Sequence, residues 1–228
     1  MIDPIDGSMV HALHRHWKPT KQGAAAGQDA EPIRIRIHRC LSWMQRVEDI
    51  GASEEKSLDA AIIFQWVALN SLYAKWNPQD RCPIDDRTSL DNLLKRLFEA
   101  DSDGLIASVL IEHRRLVNSI FEDQYLSRYF WQDPSDERAR KSRNVKFDAR
   151  TWYNQGWHRL LLDRVLERIY LARCQLVHGA ATHGSNKNRD TLRRCSIMLE
   201  HLLPAMLLVI MDQVWQEDWG DLCYPPMD

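Results

Sequence analysis

The sequence predicts an all-α fold, a single-domain bundle of four to six helices. Apolar residues recur at helical spacings over several long segments, whereas the sequence contains neither a clear β-hairpin nor an alternation of strands and helices. The 228 residues include only 9 glycines and 9 prolines, too few for a turn-rich β sandwich or barrel. A chain of this length can bury one substantial core.

Two helices are predicted in the first third of the chain. Residues 33–50 begin with alternating isoleucines and arginines and change to a helical period after Ile37. The next helix starts after Gly51–Ser53 and ends at Asn77–Pro78, because proline disfavours a helical residue before it. Six of its apolar side chains fall within about 80° of arc: Leu58, Ile62, Trp66, Leu69, Tyr73 and Trp76.

The remaining helices follow the same logic. Thr88 and Asp91 are expected to form a capping box for a short amphipathic helix that carries four leucines. Pro204 is expected to kink the last helix of the domain. Three longer helices are predicted at 103–122, 151–177 and 188–216.

The ends of the chain are predicted to lie outside the folded domain, which we place at 32–216. Residues 1–31 are interpreted as a leader, resembling a vector-derived one before Met9, followed by a polar and flexible arm. Residues 217–228 are acidic and contain prolines, so we expect a loosely held tail.

Composition indicates a cytoplasmic protein with no membrane segment. The 5 cysteines have irregular spacing and form no CxxC pair, which is typical of reduced thiols. The N-terminus has no apolar signal segment, and the longest apolar run, 202–211, is too short to cross a bilayer. The net charge of -2 gives no global sign of nucleic-acid binding. Between residues 158 and 194, however, basic residues exceed acidic ones by eight to three, which favours a phosphate ligand there.

The candidate site is an arginine and a histidine at the end of one predicted helix. On the helix 151–177, Arg173 lies within the apolar stripe rather than on the charged side. It therefore needs an acidic partner, a cleft or an anionic ligand. His178 precedes Gly179, the residue type that most often ends a helix. A guanidinium and an imidazole at this position can converge on one phosphate; an ordinary ion pair and a simple helix cap remain the structural alternatives.

The stretch Ile169–Gly179 resembles the Arg-x4-His signature of the HEPN superfamily, the higher eukaryotes and prokaryotes nucleotide-binding domains. Tyr170 precedes the arginine as in that pattern, and Leu-Val-His-Gly follows it. The resemblance covers about residues 32 to 216. It implies a HEPN-like helical bundle, commonly a homodimer, in which Asn70 on an earlier helix faces the motif. Cys174 departs from the family, in which a polar residue usually follows the arginine.

The resemblance also implies a function. Catalytic HEPN members are ribonucleases that cleave RNA without a metal or other cofactor, through attack of the ribose 2′-OH on the adjacent phosphate. His178 would move the proton and Arg173 would stabilise the charge at phosphorus. A toxin or antiphage role and a nucleotidyltransferase-type antitoxin partner are then expected. The alternative is a non-catalytic helical module for dimerisation or for binding of nucleotide or RNA.

Two further groups of residues are candidates for ligand contact. Residues 124–150 are predicted to be an excursion between helices, in which an aromatic cluster could stack on single-stranded RNA beside a basic run. Cys174, His178 and His183 have metal-compatible spacing, but three ligands without a fourth do not favour zinc, so no metal site is predicted. The expected RNA contacts are Arg138, Arg140, Lys141, Arg143 and Lys146.

Overall fold

The apolar periodicity of the sequence corresponds to a mostly helical fold. The computed structural model describes residues 2–22, 31–51, 57–214 and 218–225. Within these ranges it has ten α-helices and one antiparallel pair of short strands, β1 (Trp76–Asn77) and β2 (Cys82–Pro83), so the prediction of an all-α chain is confirmed. The helices are α1 Met9–Gln22, α2 Glu31–Asp49, α3 Leu58–Tyr73, α4 Asp86–Ala100, α5 Leu105–Glu112, α6 Arg114–Phe121, α7 Arg128–Gln132, α8 Asp136–Asn154, α9 His158–Val177 and α10 Arg189–Val209.

The core is built around α3 and α10. Helix α3 packs chiefly against α2 and α10, and α10 also contacts α5 and α6. Helix α10 is apolar around most of its circumference because neighbours cover it on nearly every side, and it continues through Pro204 to a π-helical turn at Ile210–Val214. Seven of its apolar side chains are at most 2% exposed: Leu192, Met198, Leu199, Leu202, Leu203, Met206 and Leu207.

This packing bears on two expectations about α10. The apolar residues of α10 extend around more than one side of the helix in the sequence, a pattern that predicts leftover apolar surface for a dimer interface; that argument is wrong, since the single-chain core covers these faces. The helical segment Arg189–Gln213 is long and apolar enough, by length and composition, to cross a membrane. However, 78% of its most apolar 18-residue stretch is buried inside the protein, as in the core helix of a soluble fold.

The folded domain begins at Met9 rather than near Pro32, which corrects the predicted flexible arm. Helix α1 buries Val10, Leu13 and Trp17 against the core, each at most 4% exposed. Their spacing of three and four residues is that of an amphipathic helix. Ser8 Oγ also donates to a carboxylate oxygen of Glu48, at 2.6 Å. Residues 23–30, the centre of the predicted arm, lie outside the described residues.

The tail is held rather than loose over residues 218–225. Trp219 is 3% exposed, and Cys223 is also buried. Buried Arg36 of α2 donates to the carbonyls of Trp219, at 3.3 Å, and of Asp221, at 3.1 Å. Because a charged donor strengthens hydrogen bonds to carbonyls, this guanidinium ties the tail to the core. The predicted tail residues 217 and 226–228 are outside the described part of the chain.

Residues 124–150 form helices and are not an excursion, so that prediction is wrong. A 3-10 turn at Gln124–Leu126 leads to α7 and then to α8, which Ser135 caps by accepting from the Arg138 N–H at 3.3 Å. The polar sequence of α8 hid its buried side, which consists of small residues, Ala139, Ser142 and Ala149. Small side chains bring α8 close to its neighbours without producing an apolar stripe that sequence inspection detects.

Several helix boundaries also differ from the predictions. The segment 103–122 is two helices that meet at His113. The segment 151–177 is broken at Gly156, whose φ of 68° is left-handed, so α9 starts at His158. The cap of α4 is Asp85, which accepts from the Thr88 N–H at 2.9 Å, and not the predicted Thr88–Asp91 box. Residues 52–56, which include most of the predicted start of α3, are outside the described ranges.

Candidate functional site

The Arg-x4-His segment occupies the C-terminal end of α9. His178 is the C-cap residue and is solvent-exposed, and Gly179 follows with a φ of 70°. The Gly179 N–H donates to the carbonyl of Leu176, at 3.2 Å, and the Ala180 N–H to that of Gln175, at 2.9 Å. These two bonds make a Schellman motif, which requires the left-handed conformation that glycine adopts without strain. The prediction that Gly179 ends the helix is therefore confirmed, and the imidazole is presented to solvent at the helix end.

Arg173 is half-buried on α9 and makes no ion pair with any described carboxylate. Its one hydrogen-bond-type contact with a described residue runs from Nη1 to the Sγ of Cys174, at 3.9 Å, and sulfur is a weak acceptor. A guanidinium in this position loses part of its hydration without a carboxylate or carbonyl in return. The sequence left an acidic partner, a cleft or an anionic ligand open for Arg173. The described residues provide no acidic partner.

The other arginines of α9 contrast with Arg173. Each has an oxygen acceptor, so the basic excess predicted for this region is largely neutralised or bonded within the fold. The contacts are Arg159 to Asp91 at 2.8 Å, Arg164 to Glu167 at 2.9 Å, and Arg168 to the carbonyls of Asp123 and Ser142 at 2.9 and 3.2 Å.

Two tyrosines lie close to Arg173. Tyr170 packs against Trp66 of α3, with ring centroids 5.5 Å apart and planes at 53°. Its hydrogen bond with Cys174, and then burial, raise the pKa of Tyr170 above its ordinary value, while the Arg173 charge opposes that rise. Burial, and then the Asp86 carboxylate, raise the pKa of Tyr73, again against the effect of Arg173. Both phenols are therefore neutral hydrogen-bonding groups at neutral pH.

A pocket of about 360 Å³ lies along α9, beginning one turn before Arg173. Its wall includes two side chains that are almost fully buried, Trp66 at 2% and Tyr73 at 1% exposure. Among the residues that the structure describes, neither the indole Nε1 of Trp66 nor the hydroxyl of Tyr73 has a hydrogen-bond partner. Each such group costs about 1–3 kcal/mol when left unsatisfied. Sequence reasoning missed this pocket because Trp66 and Tyr73 belong to the apolar stripe of α3 and were interpreted as core. The lining residues are Trp66, Tyr73, Asp86, Arg87, Leu90, Arg128, Leu166, Glu167 and Tyr170.

Asn70 lies on α3 between these two side chains in sequence. It is half-buried, and its Oδ1 has no hydrogen-bond partner in the described part of the chain. No hydrogen bond joins it to Arg173 or His178. The structure therefore brings Tyr170 into contact with α3 but gives Asn70 no direct bond to the motif.

The five basic residues expected to contact RNA all lie on α8. Four of them make contacts within the chain, whereas Arg140 is exposed and pairs with no described carboxylate. Arg138 is the most constrained, because its guanidinium lies over the Tyr129 ring at 4.3 Å and pairs with Asp133 at 3.4 Å. The other contacts are Lys141 to Glu137 at 2.9 Å, Lys146 to Glu122 at 2.7 Å, and Arg143 to Gln124.

An exposed aromatic cluster adjoins the motif helix. Gln175, two residues after Arg173, donates from Nε2 to the carbonyl of Tyr125 at 2.7 Å. The Trp131 indole donates to the same carbonyl at 2.9 Å, and the Tyr125 and Trp131 side chains are 53% and 50% exposed. Gln175 thus anchors two solvent-facing rings beside the end of α9.

The loop after the motif is held by a buried ion pair. Arg189, at the start of α10, bonds Asp59 of α3, and the Gly184 N–H donates to Asp59 at 2.9 Å. Burial alone would raise the pKa of Asp59, but the hydrogen bonds from Arg189 and Gly184 and the Arg189 charge outweigh it and hold that pKa below its ordinary value. His183 lies 3.9 Å from Asp59 and is exposed. No three described His, Cys, Asp or Glu side chains come together in a metal-ligating arrangement, so Cys174 and His183 do not join His178 in one.

Compared with protein-family models, with curated proteins and with solved structures, the chain matches none of them. The family resemblance of the Arg-x4-His segment therefore stays a prediction, and the functional argument depends on the geometry described above.

Proposed function

We propose that the chain is a HEPN-type endoribonuclease that cleaves single-stranded RNA without a divalent metal. The observation that carries the proposal is the state of Arg173, a half-buried guanidinium on α9 without the oxygen partner that the helix's other arginines have. An anionic ligand supplies what it lacks. Phosphate fits the planar fork of arginine, and the charge that develops at phosphorus in the transition state increases the interaction.

His178 is the second participant. It follows Arg173 at the exposed end of the same helix. An imidazole can accept the proton of the ribose 2′-OH or donate one to the leaving 5′-oxygen. The 2′-OH is an internal nucleophile, so no nucleophile from the protein is needed, and DNA is inert because it lacks that group.

The aromatic cluster supports a single-stranded substrate. Tyr125 and Trp131 are about half exposed and are tied to α9 through Gln175. Base stacking on such rings is tolerant of sequence and contributes about 1–3 kcal/mol per base. Exposed Arg140 on α8 adds a cation for the backbone. We propose that RNA follows this surface toward His178.

Two chains would complete the site. Val177 is 47% exposed beside the exposed His178, so the motif end of α9 presents apolar surface next to its chemistry. We propose a two-fold homodimer in which the two motifs approach each other across this end, rather than through α10. At protein concentrations where most chains are monomeric, the cleavage rate should then rise with the square of the protein concentration.

A non-catalytic module is the second candidate, and Cys174 favours it. The Arg173 guanidinium is in contact with the Cys174 thiol, where a polar residue is usual in the resembled family. An arginine in contact with a thiol can bind an RNA phosphate without promoting cleavage of the RNA. On this alternative the protein binds RNA or nucleotide with the same residues and leaves the RNA intact.

The test is a cleavage assay on end-labelled single-stranded RNA in EDTA. We expect products with a 2′,3′-cyclic phosphate or 3′-phosphate end. His178→Ala and Arg173→Ala should each lower the rate by roughly 10²-fold or more. His183→Ala is the matched control, since His183 is another exposed histidine on the adjoining loop. Arg173→Lys should restore the rate only in part, because an ammonium lacks the planar fork.

Three results would overturn the proposal. Loss of cleavage in EDTA would point to a bound metal. An unchanged rate in His178→Ala would remove the imidazole from the mechanism. Intact RNA, bound with an affinity that depends on Arg173, would favour the non-catalytic module.

A further inference from the structure

The segment between α6 and α8 presents two aromatic rings to solvent on a buried support. Tyr125 and Trp131 are 53% and 50% exposed, whereas Phe130 is 7% exposed. The Phe130 ring packs edge-on against both, with centroids 5.6 Å from Tyr125 and 5.2 Å from Trp131. The exposed rings, which we name the aromatic platform, are therefore held from behind and keep about half of their surface for contact with a ligand.

The aromatic platform is attached to the motif helix through one carbonyl. The carbonyl of Tyr125 accepts from Gln175 Nε2 at 2.7 Å and from Trp131 Nε1 at 2.9 Å, so both of its lone pairs are used. Gln175 lies two residues after Arg173 and three before His178, and residues three apart on a helix are neighbours on its surface. The helix that carries the proposed catalytic residues thus sets the position of the rings.

The two rings offer faces rather than hydrogen-bonding groups. Tyr125 and Trp131 are tilted by 41° with centroids 6.1 Å apart, so they form an open wedge and not a closed stack. The indole N–H, the one polar group of Trp131, is already bonded. Every nucleobase has a π-face and can stack on such a ring, whereas reading of a base edge needs a free donor or acceptor. The platform therefore suits a base of any identity.

A second available cation adjoins the platform. Arg143 of α8 donates to the side chain of Gln124, the residue before Tyr125, and it is exposed and pairs with no described carboxylate. A series of contacts and chain neighbours thus leads from Arg173 through Gln175 and Tyr125 to Arg143. Its two ends are guanidinium groups without a carboxylate partner among the described residues, and its middle is aromatic. A nucleic-acid strand likewise alternates phosphates with bases.

We propose that the aromatic platform is a subsite for one unpaired nucleotide next to the cleaved bond, and that Gln175 is its positioning residue. The base stacks on the two rings, and its neighbouring phosphates meet Arg173 and Arg143. Gln175 fixes the distance from the stacked base to His178. The inference rests on the proposed ribonuclease function for the meaning of a cleaved bond, whereas the stacking itself does not depend on turnover.

A second copy of this chain is the competing occupant, since exposed aromatic residues are also enriched at protein interfaces. A two-fold contact through the platform would bring the Arg143 side chains of both copies into one interface. Like charges across an interface oppose association, whereas the phosphates of a nucleic acid attract both. Charge therefore favours RNA, and self-association is one outcome of the test.

The first experiment combines altered RNA with altered protein. The bonds that the full chain cleaves in an unstructured RNA are mapped in EDTA, and single bases beside one of them are replaced by abasic ribose. We expect loss of one flanking base to lower kcat/KM by about tenfold, and exchange among the four bases to change it by less than about threefold. Trp131→Ala should slow cleavage of the intact RNA by a similar factor and cleave intact and abasic RNA equally. Trp157→Ala is the matched control, because Trp157 is 52% exposed but lies outside the platform.

Gln175→Met tests the positioning role, because methionine keeps the length of the side chain but cannot donate to the Tyr125 carbonyl. We expect kcat/KM on intact RNA to fall by about three- to tenfold, the scale of one hydrogen bond, while abasic RNA is cleaved as fast as by the wild type. A merely structural role would slow both RNAs equally, so an unchanged ratio of the two rates would overturn the positioning role. If Trp131→Ala does not fold, Tyr125→Leu is measured in its place.

The second experiment does not depend on cleavage. Fluorescence anisotropy compares a short DNA strand with a strand of the same length that is abasic throughout, so that the number of phosphates is equal. We expect the wild type to bind the intact strand about tenfold or more tightly, and Trp131→Ala to bind both strands equally. Equal binding of the two strands by the wild type would overturn the subsite.

The outcomes separate the subsite from the proposed function. Base-dependent binding that Trp131→Ala removes, together with uncut RNA, would support the subsite and overturn the ribonuclease. His178-dependent cleavage with the same abasic penalty in Trp131→Ala and the wild type would overturn the subsite and leave the ribonuclease. Light scattering in which Trp131→Ala dissociates an assembly, with nucleic-acid binding unchanged, would assign the platform to a protein interface and overturn the subsite.

Discussion

Two arginines five residues apart on α9 should respond in opposite ways to the same substitution. Arg168 is 7% exposed and donates to the carbonyls of Asp123 and Ser142. Arg173 is half-buried, and its only contact of this kind with the described residues is to the Cys174 sulfur. Methionine keeps the straight apolar stem of arginine in both cases, so Arg168→Met and Arg173→Met differ mainly in the contacts of the charged group.

The expected magnitudes follow from those contacts. Loss of the Arg168 head leaves two carbonyls, one buried and one partly buried, without their charged donor, and we estimate a cost of about 2–4 kcal/mol. For a chain of this size, that lowers the melting temperature by about 5–15 °C. Loss of the Arg173 head removes an uncompensated charge, so the melting temperature should change by less than about 4 °C and toward higher stability.

The assay pairs calorimetric melting with RNA cleavage on each variant. Arg173→Met should combine a native melting temperature with at least about a 10²-fold slower cleavage. Arg168→Met should melt early and cleave normally while it remains folded. If Arg173→Met melts as early as Arg168→Met, Arg173 is a structural anchor and the argument for an anionic ligand fails.

Three further predictions concern stability and pH. Asp59→Asn removes the carboxylate partner of Arg189 and should lower the unfolding free energy by about 3 kcal/mol at neutral pH. Because the pKa of Asp59 is lowered in the folded protein, the stability that its carboxylate provides is present above pH 3.8 and is lost as the pH falls. Urea melts of the wild type and the variant should therefore converge in acid. Burial, and then the stacked His113 ring 3.8 Å away, lower the pKa of His201 below 6.5, so urea midpoints should fall as pH drops through that value, and fall less in His201→Gln. Trp219→Ala should lower the unfolding free energy by about 3–5 kcal/mol, whereas a change under about 0.5 kcal/mol would show that the tail is not part of the core.

The sequence predicted the helical class because period signals were strong where a helix has one apolar face. The sequence-based prediction failed where the apolar period was weak, or where a clear period lay in a segment interpreted as lying outside the folded domain. Helix α8 buries alanines and a serine, which produce no stripe. Helix α1 has a clear stripe, but it lies within residues 1–31, which the sequence analysis interpreted as a leader followed by a flexible arm; the helix instead packs against the core.

The candidate site was predictable only in part, for a similar reason. The positions of His178 and Gly179 follow from local rules of helix ends, so sequence sufficed for them. The environment of Arg173 depends on which long-range partners reach it, and the sequence left that open. The pocket could not be predicted, because an apolar period does not distinguish a tryptophan packed in the core from one that lines a cavity.

The contrast among the α9 arginines has a geometric origin. Arg164 and Arg168 are four residues apart, so they lie on one side of the helix within about 40°, and there α9 meets oxygen acceptors of its own chain. A spacing of five residues then rotates Arg173 by about 140° from Arg168, onto the side that carries Tyr170 and faces α3. Tyr73, Trp66 and Tyr170 contribute rings on that side, and the Asp86 carboxylate, which also lies there, does not pair with Arg173. Arg159 lies on the same side, about 40° from Arg173, but it is near the start of the helix and pairs with Asp91 at 2.8 Å. The lack of a carboxylate partner at the motif end of α9, and not the side of the helix alone, is therefore what leaves Arg173 available for a ligand.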